Sequence, residues 1–229
     1  MTMRSRGQAS FVRIPKFGAR LYDKMMTGHS AEAHFADIAR DVVDRGVGRR
    51  LLDVGTGPGR LLAEVRKLNP EVELHGLDIS AAMVELAERN LRGDKVQLSL
   101  GSIRSTSYET GFFDTVICSG SFYLWDEPIA CLGEIHRILA VGGRACLYES
   151  TRDFDPEAFR KALQHNLREE PLLRKCLAPH FLRRQLAMTY STDEIRSIVA
   201  QTQFSAHTEV APVTLGGLPV WLRVALTKE

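Results

Sequence analysis

The sequence has few cysteines, no long apolar run and little net charge, and each of these absences excludes a class of protein. Its four cysteines, Cys118, Cys131, Cys146 and Cys176, show no paired spacing, which argues against a disulfide framework or a zinc site. No run approaches the roughly 18 apolar residues that a membrane span needs, and no apolar segment follows the N-terminal charges. We therefore expect a cytoplasmic protein with neither a secretory signal nor a membrane span.

What the chain does contain is a regular alternation of short apolar runs and helical periodicity. With 229 residues and 44% hydrophobic content, it is long enough to bury the core of one domain. Strands are predicted at 49–54, 72–78, 95–101, 112–120 and 142–150, and helices at 31–45, 60–68, 80–91 and 128–139. This alternation favours an α/β fold, a doubly wound and mostly parallel sheet with helices on both faces.

The alternation ends after Ser150. Helices are predicted over 155–187, the first with Asp155 as N-cap, and Ser191 with Glu194 forms a capping-box pattern. Two closing strands, 204–213 and 219–227, are close enough in sequence to pair antiparallel. We therefore divide the single domain into an N-terminal segment (1–30), a core of alternating strands and helices (31–150), a helical cap after strand five (151–190) and a last helix with a terminal hairpin (191–229).

The turn after the first strand carries the most specific pattern in the chain. Asp53 is followed by Gly55, Gly57 and Gly59, whereas the dinucleotide fingerprint G-x-G-x-x-G would need glycine where Arg60 stands. An aspartate beside a pyrophosphate would also add negative charge to negative charge. The pattern therefore favours a ligand with a positive or neutral group at this turn and argues against a nucleotide-dependent oxidoreductase.

Asp53 to Gly59 match the pattern D-x-G-x-G-x-G and resemble motif I of the class I S-adenosylmethionine-dependent methyltransferases. Asp78 ends the second predicted strand, where this family places the acid that accepts hydrogen bonds from the ribose hydroxyls, and Ile79 follows, where the family packs the adenine. "FFDTVIC" and "LGEIHRILAVGGRACLYE" resemble the family's fourth strand and its helix–turn–strand signature. The likeness is to the ubiquinone/menaquinone-type small-molecule branch, and it implies a sheet of order 3-2-1-4-5-7-6 with the last strand antiparallel.

The resemblance implies S-adenosylmethionine as cofactor, with S-adenosylhomocysteine as its product. It also implies that residues 31–150 are the cofactor-binding core and that residues 1–30 form an N-terminal tail or lid. The residues implied to bind it are Tyr22, Asp53, Gly55, Thr56, Gly57, Gly59, Asp78, Ile79, Met83, Gly101, Ser102, Ile103, Cys118 and Ser119. One departure concerns the adenine. The family often has an acidic residue after the glycine of strand three, where this chain has Ser102 and Ile103, so backbone groups and Ile103 would have to replace a carboxylate.

The acceptor pocket is expected at the ends of strands four and five and at the helix before strand one. Its candidate residues are Tyr22, Tyr123, Trp125 and Glu149. No residue is identified as a general base, and the seven histidines show no ligand spacing. Asp126 and Glu127 are the only acidic pair at the end of strand four, so no metal is expected.

The acceptor itself is left open by the sequence. A basic segment over residues 160–184 is either a solvated surface or an attraction for an anionic acceptor. Charge elsewhere is balanced and no RNA-binding module is appended, so nucleic acid is not expected as a partner. The sequence favours methyl transfer to a small molecule. An RNA or protein methyltransferase and a catalytically silent cofactor-binding protein remain alternatives, and the oligomeric state is open.

Overall fold

A computed structural model describes residue 23 and residues 29–168 and 172–229, and its centre is a sheet of seven strands. The strands are β1 Arg50–Val54, β2 Glu73–Asp78, β3 Val96–Leu100, β4 Phe113–Ser119, β5 Leu139–Ser150, β6 Thr208–Leu215 and β7 Leu218–Thr227. Their order is β3-β2-β1-β4-β5-β7-β6, and β7 runs antiparallel to both of its neighbours. The predicted fold class, strand order and terminal hairpin are confirmed.

Helices cover both faces of this sheet. They are α1 His29–Asp44, α2 Arg60–Leu68, α3 Ala81–Asn90, α4 Pro128–Ile138, α5 Pro156–Asn166, α6 Leu172–Met188 and α7 Thr192–Val199, with a 3-10 turn at Phe122–Leu124. One core cluster joins α1, α2 and α3 to the side of the sheet that we call the α1 face, and a second joins α4 and α7 to the opposite side, the α4 face. Because side chains alternate along a strand, neighbouring strand residues belong to different clusters.

Two helix starts form the caps that the sequence predicts. The Ser191 Oγ accepts the Glu194 N–H at 3.1 Å while the Glu194 carboxylate accepts the Ser191 N–H at 2.9 Å, which completes a capping box. The Asp155 carboxylate accepts the Glu157 N–H at 2.8 Å at the start of α5. Ser80 occupies the N-cap position of α3, but its side chain makes no cap hydrogen bond.

Strand β5 begins earlier than predicted. The sequence predicts this strand over 142–150, but the strand already starts at Leu139. Leu139 pairs with Phe113, and regular pairing resumes only at Thr115 with Arg144, so Gly142 and Gly143 lie in an irregularity inside the strand. A Cβ at Gly143 would lie 2.8 Å from the Ala140 carbonyl oxygen, which explains the need for glycine in this crowded bend.

The helical segment after β5 packs on the outer part of the sheet. Phe159 of α5 and Leu186 of α6 form a small buried cluster with Val220 of β7. The division of the chain into tail, core, cap and hairpin stays a prediction. Among the residues that the structure describes, no helix has the length and apolarity to cross a membrane.

A half-buried carboxylate, Asp41, attaches α1 to the sheet. The Tyr148 hydroxyl donates to the Asp41 carboxylate at 2.7 Å, and Arg45 and Arg223 donate to its other oxygen at 3.0 and 3.3 Å. Burial alone would raise the pKa of Asp41, but the hydrogen bonds from Tyr148 and Arg45 outweigh burial and lower it. This carboxylate therefore fixes α1 against β5 and β7.

We expect Tyr148→Phe to lower the unfolding free energy by about 1–2 kcal/mol, because the fully buried Tyr148 side chain loses its hydrogen bond to a charged, half-buried carboxylate. Denaturant titration would measure the change. Tyr108→Phe is the matched control, since the Tyr108 hydroxyl is only 3.4 Å from Ser99 Oγ and is half-buried. Equal losses for the two variants would contradict this account of α1.

Candidate active site

A cleft opens at the carboxyl ends of the strands, where the strand order reverses between β1 and β4. This is the position at which open α/β sheets bind ligands. Its volume is about 790 Å³, counting space open to solvent. The cleft is lined by Val54, Gly55, Gly57, Leu77, Asp78, Ile79, Ser80, Met83, Gly101, Ser102, Ile103, Ser119, Gly120, Ser121, Leu124 and Trp125.

The turn between β1 and α2 forms the centre of the cleft. Gly55, Gly57 and Gly59 all have positive φ, at 73°, 52° and 78°, a conformation that side chains disfavour. The Gly55 N–H donates to the Leu77 carbonyl at 2.8 Å, which ties the turn to β2. A Cβ at Gly55 would lie 2.3 Å from Ser121 Oγ, so this glycine also allows the turn after β4 to approach. All three glycines are thus needed for the shape of the turn, and Gly55 and Gly59 also for the space that they leave to Ser121 and Leu91.

Asp78 connects two of the turns that border the cleft. One carboxylate oxygen accepts the Gly57 N–H at 2.8 Å and the other accepts the Ser80 N–H at 2.8 Å. Burial raises the pKa of Asp78, and these backbone N–H groups oppose that shift. A carboxylate has about four lone-pair sites, so Asp78 can still accept hydrogen bonds from a ligand in the cleft.

Asp53 lies behind the cleft wall and is 2% exposed. Burial raises its pKa to about 7, with the Thr56 hydroxyl opposing the shift and the charge of Asp78 adding to it. Two buried carboxyl groups therefore adjoin the glycine turn. A positive group in the cleft would favour the ionised form of both.

Many of the predicted cofactor residues meet in this cleft. Gly55, Gly57, Asp78, Ile79, Met83, Gly101, Ser102, Ile103 and Ser119 line it. Tyr22 lies outside the described residues. Ser80, Gly120, Ser121 and Leu124 also line the cleft but were missed, although all of them follow a strand end, which is the signal that could have found them.

Four predicted cofactor residues do not reach the cleft surface. Besides Asp53, these are Thr56, Gly59 and Cys118. The Thr56 side chain points toward β2, because a Cβ at Gly76 of that strand would touch it. Gly59 faces α3 and the residue after it, because a Cβ at Gly59 would lie 2.6 Å from Leu91 Cδ1. Cys118 is fully buried in the α4-face core. These four residues therefore pack behind the residues that line the cleft and support them.

The predicted acceptor residues are separated by the structure. Trp125 lines the cleft, while Tyr123 is buried beside it. Glu149 is 1% exposed and lies outside the cleft lining, with Oε1 accepting the Phe122 N–H at 2.9 Å. Glu149 therefore supports the turn that carries Leu124 and Trp125. The sequence predicts Glu149 in the pocket because it stands at the end of strand five, whereas β5 and the 3-10 turn enclose its side chain.

Burial also changes the protonation of Glu149. It raises the pKa of this carboxyl to about 8, although backbone N–H groups of residues 120–123 favour the ionised form. Its Oε2 has no hydrogen-bond partner among the described residues. Glu149 is therefore largely protonated at neutral pH, a state that a solvated acceptor pocket would not produce.

The described side chains contain no group of three or more metal-ligating residues. Asp126 and Glu127 are exposed, and Glu127 forms an ion pair with Arg104 at 3.0 Å. The basic side chains of the helical segment whose surroundings are described, Arg160, Lys161, Arg168, Lys175, Arg183 and Arg184, are exposed to solvent.

Comparison with known proteins agrees with this geometry. Residues 52–147 match the methyltransferase domain family. The chain is 34% identical over 108 residues to an uncharacterized methyltransferase, YdaC, of Bacillus subtilis, which covers 47% of this chain and 60% of that protein. It is 32% identical over 128 residues to a demethylmenaquinone methyltransferase of Deinococcus radiodurans, covering 52% of each. The chain thus spans between half and two thirds of the length of these two relatives.

A solved structure has the same fold over the whole chain. A putative S-adenosylmethionine-dependent methyltransferase of Methanococcus maripaludis superimposes with a TM-score of 0.71 at 21% identity, covering 100% of this chain and 97% of that one. The structural match shows that the chain has the fold of this structure, and the family match shows a methyltransferase domain over residues 52–147, as the sequence predicts.

We expect Glu149 to contribute a loss of stability as the pH rises from about 4.5 to about 8, because burial raises the pKa of Glu149 from 4.5 to about 8. Over this range the folded chain holds a proton that the unfolded chain has released. The glutamine of Glu149→Gln cannot ionise but keeps an oxygen for the Phe122 N–H. This variant should therefore lack the part of the pH-dependent loss of stability that Glu149 causes. Denaturant titrations across the range would measure it.

The control is Glu157→Gln, which changes an exposed carboxylate on α5 and should leave the pH curve unchanged. Asp53→Asn should act like Glu149→Gln up to a pH of about 7, where burial places the pKa of Asp53. A Glu149→Gln curve parallel to that of the unaltered protein would contradict the buried, protonated state.

Proposed function

We propose that the whole protein transfers a methyl group from S-adenosylmethionine to a small-molecule acceptor. The observation that supports the cofactor assignment is Asp78, a buried carboxylate that lines the cleft, joins the glycine turn after β1 to the turn after β2, and keeps lone pairs free for a ligand. The observation that supports a small acceptor is the packing of α5 and α6 on the outer strands beside the cleft. The name of the demethylmenaquinone methyltransferase relative points the same way.

The described residues fit the cofactor. The free lone pairs of Asp78 suit two ribose hydroxyls, and Gly55 and Gly101 allow the backbone to approach a ligand closely. The negative charge of Asp78, with the partly ionised Asp53 behind it, favours a ligand that carries positive charge. These are the groups that would hold the ribose and the methionine part.

The adenine end would be held without a carboxylate. Ile103 is 5% exposed and lines the cleft, which provides an apolar surface for a purine. Ser102 Oγ accepts the Arg104 N–H at 3.2 Å, so its hydroxyl is engaged in its own turn. Recognition of adenine would therefore depend on backbone groups near Gly101 and on apolar contact with Ile79 and Ile103.

The methyl sulfonium supplies the leaving group when the cofactor is bound, so the chain needs mainly to align the reactants and exclude water. The turn at Ser119–Ser121 borders the end of the cleft where the reacting groups would meet. Glu149 fixes that turn from below through the Phe122 N–H. Trp125 adds an aromatic wall, which favours a nearby positive charge by about 0.5–2 kcal/mol.

The cofactor assignment is tested at Asp78. Asp78→Ala should weaken the binding of S-adenosylhomocysteine by about 10- to 100-fold, the effect of losing hydrogen bonds to a charged group. Calorimetric titration would measure the dissociation constant. Asp78→Asn removes the charge but keeps a side-chain oxygen that can accept a backbone N–H, so it separates the effect of the charge from that of the hydrogen bonds in the turn. Asp94→Ala, at an exposed position, is the control. An unchanged constant in folded Asp78→Ala protein would refute the ribose assignment.

The acceptor class is tested with tritium-labelled S-adenosylmethionine. The protein is incubated with cell extract divided by size into a small-molecule fraction and a macromolecular fraction. We expect the label to enter compounds of the small-molecule fraction only. Label in protein or RNA would overturn the small-molecule acceptor while leaving the cofactor assignment intact.

A further inference from the structure

The sheet order determines where an acceptor can reach the methyl group. The ends of β3 and β2 carry Gly101 and Asp78, and those of β1 and β4 carry Gly55 and Ser119. If the adenine and ribose of the cofactor bind at the ends of β3 and β2, its methionine part would bind at the ends of β1 and β4. The next strand ends along the same edge belong to β5 and β7. An acceptor that meets the methyl group therefore lies over β5 and β7.

Side-chain alternation brings four polar or aromatic residues together at that place. Ser119, Ser150 and Trp221 continue the rows of strand residues on the α1 face, and Ser150 pairs directly with Trp221. His34 reaches the same place from α1. Its Nε2 is 3.4 Å from Ser119 Oγ, and its ring centroid is 4.4 Å from that of Trp221. This group of four, His34, Ser119, Ser150 and Trp221, we call the α1-face cluster.

The α1-face cluster is continuous with the cofactor cleft. Ser119 belongs to both, and a Cβ at the neighbouring Gly120 would lie 4.0 Å from the Trp221 ring. Ser119, Gly120 and Trp221 are partly exposed. A compound in the cleft can therefore contact the cluster without crossing a strand.

The cluster holds two buried groups that the described chain does not pair. Ser150 Oγ and Trp221 Nε1 have no hydrogen-bond partner among the described residues, and Ser150 is 2% exposed. Unpaired buried polar groups are rare in native proteins, and each one calls for an explanation. Ser150 and Trp221 occupy paired positions on β5 and β7, so these two unpaired groups lie side by side near the cleft. Their position indicates a ligand that supplies the missing hydrogen-bond partners.

We propose that the α1-face cluster is the subsite for the methyl acceptor, and that it takes an uncharged aromatic compound with a hydroxyl group. The indole and imidazole rings provide flat surfaces for such a compound. The Trp221 N–H can donate to its oxygen, while the serine hydroxyls can donate or accept. The inference rests on the proposed function, since it assumes a small acceptor.

The side chains at and beneath the cluster offer no free charge to an acceptor, and this favours an uncharged one. Burial lowers the pKa of His34 to about 4, so its imidazole is neutral at physiological pH. The charged groups beneath it pair with one another, as Arg223 donates to Asp41 at 3.3 Å and to Glu209 at 2.9 Å. An ionised acceptor would thus find no free counter-charge among these side chains, and burying a charge without one is costly. The exposed basic side chains of α5 and α6 do not change this, because they face solvent.

The two tryptophans of the chain allow each site to be observed separately. Trp125→Phe leaves Trp221 as the only tryptophan, and Trp221→Phe leaves Trp125 in the cofactor cleft. With saturating S-adenosylhomocysteine present, phenol and benzoate are the probes, since they share a ring but differ in charge. We expect phenol to change Trp221 emission saturably in the Trp125→Phe protein and benzoate to have no effect.

Second substitutions in the Trp125→Phe protein test the polar groups. Ser150→Ala should weaken phenol binding about fivefold by removing one hydrogen bond. His34→Phe keeps a ring against Trp221 but removes its nitrogens and should weaken phenol binding similarly. Ser197→Ala, exposed on α7, is the control and should have no effect. Calorimetry with S-adenosylhomocysteine checks that the cofactor affinity of Ser150→Ala is unchanged.

Two results would overturn the subsite while S-adenosylhomocysteine still binds. One is the absence of a saturable Trp221 response to phenol, and the other is an equal response to benzoate. Failure of S-adenosylhomocysteine to alter Trp125 emission in the Trp221→Phe protein would instead overturn the proposed function. The two failures are therefore distinguishable.

Discussion

The hydrogen bonds from Gly57 and Ser80 to the Asp78 carboxylate are the interaction on which the cleft depends. They join the turn after β1 to the turn after β2 through one buried side chain. The first turn also lies against Ser121 through Gly55, so the turn after β4 is held by the same arrangement. Three separate connections thereby become a single rigid rim. A ligand meets this rim already formed and does not have to organise it.

The parts of the site that follow from local sequence could be predicted. Helix α2 has the predicted bounds, Arg60–Leu68, because its apolar positions repeat with the period of a helix directly after a glycine turn. Asp78 could be placed because a charged residue that ends an apolar run lies at a strand end. Strand ends of a parallel sheet meet at one edge, so local patterns were enough to locate the cleft.

Features that depend on distant parts of the chain could not be predicted in the same way. The early start of β5 at Leu139 requires its pairing with Phe113, which lies on another strand. Glu149 resembles a pocket residue until the 3-10 turn encloses it. The burial of His34 could have been predicted, since it lies four positions before Ile38 on the apolar face of α1. Its neighbour Trp221 is 187 positions away along the chain, a distance that no local pattern bridges.

The hairpin of β6 and β7 places β7 beside β5, and this has an evolutionary consequence. The residues around the glycine turn come from one continuous part of the chain, whereas Trp221 lies on a hairpin that is distant from them in sequence. Substitutions in the hairpin can therefore alter the surface above the outer strands while the contacts between Asp78 and the glycine turn are preserved. The fold thus allows the two halves of this edge to evolve separately.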